Sequence, residues 1–118
     1  GATATVRFKD LSKPGSADEY SIPPVVNDAA VTAAALPVFE RLVGKSNVRE
    51  ISLQTTADDY SYFGQQVPSL YFWIGITPPG RDPQQAAFNH SPLFYLDEAG
   101  MNTGVRALLA LTTEYLAK

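Results

Sequence analysis

The rhythm of apolar and polar positions changes several times along the chain, and each rhythm predicts an element. Residues 2–8, ATATVRF, alternate small or polar with apolar side chains and include β-branched threonine and valine, the pattern of a half-buried strand. Residues 9–26 hold Lys13, Pro14, Gly15, Ser16, Pro23 and Pro24, a density of turn formers that predicts a connection between domains. From Asp28 the spacing becomes helical: Val31, Ala35, Val38, Phe39, Leu42 and Val43 share one face, with Asn27 or Asp28 as N-cap and Gly44 as C-cap. Pro37 lacks a backbone donor and crowds the preceding turn, which predicts a kink or a split in that helix.

Beyond the helix, Val48 to Leu53 is short and partly alternating, hence a strand. Thr55 to Gln66 is polar and aromatic, with a short helix beginning at Asp58 or Asp59, where a carboxylate meets the positive end of the helix dipole. Leu70 to Ile76, LYFWIGI, is apolar almost throughout and predicts a central strand covered on both faces. Residues 77–92 contain Pro78, Pro79, Gly80, Pro83 and Pro92 and form a long ordered loop. A last helix is capped by Asp97 or Asn102 and carries Val105, Leu108, Leu109, Leu111, Thr112, Tyr115 and Leu116 as its apolar stripe. After the connection, helix and strand alternate, which predicts an α/β layered sheet.

Composition narrows the function classes. A chain of 118 residues that is 45% apolar can build a core, and a formal charge of -3 without a run of either sign disfavours nucleic acid and anionic membrane surfaces. The absence of cysteine removes disulfides and thiolate metal sites. No apolar stretch reaches the roughly 20 residues of a membrane span, and the N-terminal residues lack the pattern of a signal peptide, so the chain reads as soluble and as mature or truncated.

Candidate chemistry gathers at two places. The one histidine, His90, lies in the loop after the central strand, where open α/β sheets place their ligands. Against this stands the commoner role of a loop histidine, a local hydrogen bond. Asp58 and Asp59 are adjacent, so on a helix they diverge and make a poor acid–base pair; capping explains them without catalysis. Asp97 and Glu98 read in the same way, as first-turn acids. There is no G-x-S-x-G elbow for a serine nucleophile, and no glycine spacing for phosphate binding.

Taken in order, SIPPVVNDAAVT, a helix ending at VG, TTADDYSYF, VPSLYFWIGI, NHSPLFYLDE and GVRALLALTTEYL resemble the last third of the aminoacylase and carboxypeptidase-type amidohydrolases, metallopeptidase family twenty, over about residues 22–117. Hippurate hydrolases and indole-acetyl-amino-acid hydrolases are relatives of this kind. The resemblance implies a zinc-peptidase-like layered α/β catalytic domain preceded by the last strand of an inserted lid domain. Residues 1–25 would end the lid and form the hinge, and 26–118 would be the C-terminal part of the catalytic domain. It further implies two divalent ions, usually zinc, a metal-activated water with a glutamate base, and a homodimer formed through the lid. His90 matches the family's last metal ligand, and Asp59 falls in the family's Glu-Asp-Phe motif, here Asp58-Asp59-Tyr60, where it would orient the metal shell or a substrate group.

The other ligands and the base would come from the remainder of the same enzyme, as a second chain or an N-terminal part, so the 118 residues alone should be inactive towards N-acyl amino acids or short peptides. An exported enzyme, periplasmic or secreted, is favoured over a cytoplasmic one. The alternative is a non-catalytic binding or interaction module that keeps the scaffold; such a module should bury LYFWIGI completely, whereas an enzyme piece should expose apolar surface.

Overall fold

The computed structural model describes residues 22–117. The strand expected at residues 2–8, and with it nearly all of the lid and hinge segment 1–25, lies outside them. The regular elements among the described residues are helices. α1 spans Ala29–Val43, α2 spans Tyr60–Gly64 and α3 spans Glu98–Leu116, with short 3₁₀ turns at Lys45–Asn47 and Pro83–Gln85.

The ends of α1 are set by its caps. The Asp28 carboxylate accepts from the Val31 N–H at 2.8 Å, satisfying a donor that has no partner inside the helix. At the other end Gly44 has φ 85°, a conformation costly for residues with a Cβ, and donates its N–H to Glu40 O. Pro37 lies inside α1 without splitting it in two, one of the two outcomes expected. It removes one donor on an exposed side of the helix, while Ala35 and Val38 are buried and the Phe39 ring meets Phe72 at 4.8 Å, so packing on the opposite side holds both halves in one helix.

Neither expected strand forms a ladder among the described residues. A strand is stabilised by hydrogen bonds to a neighbour. Ile51 and Leu53 are exposed, so residues 48–53 have no buried face to hold them against one. Residues 70–76 are tied instead at isolated points: Tyr60 Oη donates to Leu70 O at 3.2 Å, the Asn27 side chain pairs with Tyr71, and Asp97 N donates to Ile76 O at 2.8 Å. Nor is this segment covered on both faces, since Trp73 is 48% exposed. The α/β layering expected from the alternation is therefore not present in the described part.

α3 packs through a face other than the expected one. Its buried residue is Ala107, and a Cβ added at Gly100 or Gly104 would stand 3.0 Å from Ile76 Cγ2 or 2.8 Å from Ile74 Cδ1. The absence of side chains at these two positions lets the helix lie directly on residues 74–76. Of the expected stripe, Val105, Leu108, Leu109, Tyr115 and Leu116 all face outward, and only Leu111 is half-buried. α3 also contacts α1, and Arg41 pairs with Glu114 across the two at 2.7 Å. Among the described residues no helix is long and apolar enough to cross a membrane.

Candidate functional site

His90 sits in a tight turn. Ser91 N donates to Phe88 O at 3.1 Å, which makes His90 the third residue of a four-residue turn, and its φ of 73° matches the positive angle that a type II turn demands there. The same loop builds an equivalent turn ten residues earlier, where Arg81 N donates to Pro78 O at 3.1 Å and the third residue is Gly80 with φ 80°. One turn thus uses the residue that adopts this angle without steric cost, and the other uses an imidazole-bearing residue that must bear it. Ser91 anchors the next stretch of the loop, its hydroxyl accepting from Leu93 N at 3.1 Å and its carbonyl from Phe94 N at 3.0 Å. The imidazole itself is exposed and has no hydrogen-bond partner among the described residues, so the local structural role that a loop histidine commonly fills is not observed. No group of three or more His, Asp or Glu side chains able to hold a metal ion occurs among the described residues.

The two aspartates of TTADDYSYF divide their work. Asp58 is the engaged one: Oδ1 accepts from Tyr60 N at 2.9 Å and Oδ2 from the Tyr71 hydroxyl at 3.0 Å. That hydrogen bond, with partial burial and the negative charge of Asp58, holds the Tyr71 phenol above its ordinary pKa. Asp59 is exposed and stands at the N-cap position of α2 without a capping bond from its side chain. The capping role foreseen for the pair therefore falls to Asp58, leaving the Asp59 carboxylate outward. Around them the rings of Tyr60 and Tyr71 lie 5.3 Å apart, and those of Tyr71 and Trp73 5.8 Å apart in an edge-on arrangement. Asp97 caps α3 by accepting from Ala99 N at 3.0 Å, with Glu98 in the first turn; Asn102 lies inside the helix.

Two further features were not foreseen from the sequence. Ser61, in α2, is 2% exposed and its hydroxyl has no hydrogen-bond partner among the described residues. Arg81 lies over the Tyr95 ring at 5.7 Å, closing the base of the loop that carries His90. Neither has a signal in spacing, because both depend on how the loop and α2 fold back.

Sequence comparison supplies the context. A putative glutamate–cysteine ligase 2-3 of Rhodococcus jostii is 34% identical over 91 residues, which are 77% of this chain and 11% of that protein. IAA-amino acid hydrolase ILR1-like 4 of Arabidopsis thaliana is 29% identical over 113 residues, 96% of this chain and 24% of that protein. Thermostable carboxypeptidase 2 of Saccharolobus solfataricus is 31% identical over 115 residues, 94% of this chain and 25% of that protein. Over nearly its whole length the chain is similar to amidohydrolases and carboxypeptidases. It spans about a quarter of the length of these two hydrolases, and the ligase-named protein is matched over a smaller share of its own length. No family model and no solved structure matches the chain.

Proposed function

We propose that the chain is the C-terminal part of the catalytic domain of a metal-dependent hydrolase that cleaves amide bonds of N-acyl amino acids or short peptides, and that it contributes His90 as a metal ligand. The observation that carries this reading is the His90 turn: an exposed, unpartnered imidazole held at positive φ, where glycine would cost less. Imidazole suits zinc, the metal we favour. Zinc takes three or four protein donors, however, and the described residues offer one histidine and no ligand cluster, so by themselves they do not fit the ion. The remaining donors would come from elsewhere in the enzyme.

Exposed apolar surface supports the same reading over a free-standing binding module. Trp73 in the segment expected at the core and the outward leucines of α3 are the surfaces a larger domain would cover. Asp59, with its carboxylate outward beside the tied Asp58, is the group of this region left to orient a ligand or substrate.

The test uses the full-length protein, assayed on N-acetyl amino acids and dipeptides with metal content measured in parallel. His90→Ala is expected to lower kcat/KM by at least about 100-fold and to reduce bound zinc. His90→Gly should lose activity equally while gaining about 1 kcal/mol of stability from relief of the turn. Unchanged activity and metal content in His90→Ala would overturn the proposal.

A further inference from the structure

At the start of α1 a side chain takes the place of a β-strand. Asn27 Nδ2 donates to Tyr71 O at 2.8 Å, and Tyr71 N donates to Asn27 Oδ1 at 2.7 Å, although the two residues are 44 positions apart. One carboxamide can meet both groups of one residue only if they point to the same side, as in extended backbone. It is also the exchange that two residues make in a hydrogen-bonded strand pair. The next residue extends the contact, because Asp28 N donates to Ser69 O at 2.9 Å. Residues 69 and 71 are two apart and so present the same edge of the segment. Asp28 then caps α1, while Tyr71 reaches Asp58 through its hydroxyl.

We propose that Asn27 is a positioning residue: its carboxamide stands in for a strand neighbour at Tyr71 and fixes where the chain entering α1 meets the segment that leads to His90. The argument rests on donor and acceptor geometry. A carboxamide offers one donor and one acceptor about as far apart as those of a peptide group. Leucine has the volume without either, serine is too short to reach both, and a carboxylate presents two acceptors, one of which would face the Tyr71 carbonyl. A protonated carboxyl group, by contrast, again has one donor and one acceptor and can complete the pattern.

That difference separates a clasp from simple surface packing. In the full-length protein, amide exchange at Tyr71, read by fragmentation mass spectrometry and normalised to intrinsic rates, should accelerate on the order of tenfold in Asn27→Ala. Asn27→Asp should be at least as fast near pH 7. Its protection should return towards the wild-type value as the pH falls into the carboxyl range near ~4, whereas Asn27→Ala should show no such recovery relative to wild type. The sign follows from the clasp, which favours the protonated form: its contribution is present at low pH and is lost as the new carboxyl group ionises.

Tyr71 protection within about twofold of wild type in Asn27→Ala, or equal loss in Asn27→Asp across the whole range, would overturn the proposal. If Asn27→Ala does not fold, the pH series on Asn27→Asp decides alone. The exchange experiment does not depend on hydrolase activity, so the clasp can fail while the functional reading stands, and the reverse.

Discussion

The two sides of α3 are built from opposite materials. On one, Gly100, Gly104 and Ala107 bring the helix backbone onto Ile74 and Ile76; on the other, Val105, Leu108, Leu109 and Leu116 stand in the open. Hydrophobicity alone ranks these faces the wrong way round, because the leucine side carries far more apolar area than the side that is packed. The contrast shows that close approach can be set by what a residue lacks. α3 is thus apolar on two sides, and among the described residues only one of them has neighbours, α1 and the 74–76 segment.

The comparison breaks most decisively at Leu108. In the full-length protein Leu108→Ala is expected to cost about 2–5 kcal/mol by chemical denaturation, as for a covered leucine; a loss below ~0.5 kcal/mol would mean that this face meets water and would remove the main support for a larger covering domain. Next comes the packed face. Gly104→Leu should destabilise by about 1–3 kcal/mol, because the added atoms have no room over Ile74. Gly104→Ala should be close to neutral, since the helix gain of roughly 1 kcal/mol offsets a contact with the flexible end of Ile74. The smallest effect belongs to the rim between α1 and α3, where Arg41 and Glu114 are each more than half exposed: Glu114→Gln should cost under ~1 kcal/mol and less still in high salt.

Much of the helical framework could be read directly from the sequence. Asp28, Gly44 and Asp97 act through their own neighbours within a turn, so short-range chemistry located the ends of α1 and the start of α3. The face of α3 could not be read, because both candidate faces are apolar and only the contact with residues 74–76 distinguishes them. The strand expected at 70–76 has the right composition, but a ladder depends on a second segment, and the described residues supply only the Asn27 carboxamide and scattered single bonds. At the candidate site, loop position and family resemblance singled out His90, while its φ was invisible to both. Spacing could not divide the labour between Asp58 and Asp59 either, since that division depends on the Tyr71 hydroxyl, thirteen residues away from Asp58.

The paired turns at Gly80 and His90 have a consequence for reading relatives of this chain. Backbone geometry at the third turn position draws any unconstrained lineage towards glycine, while the proposed ligand role of His90 would hold it away. Glycine at the position of His90 would therefore mark a protein that has kept the loop and given up its chemistry, and histidine there would mark one still under that demand.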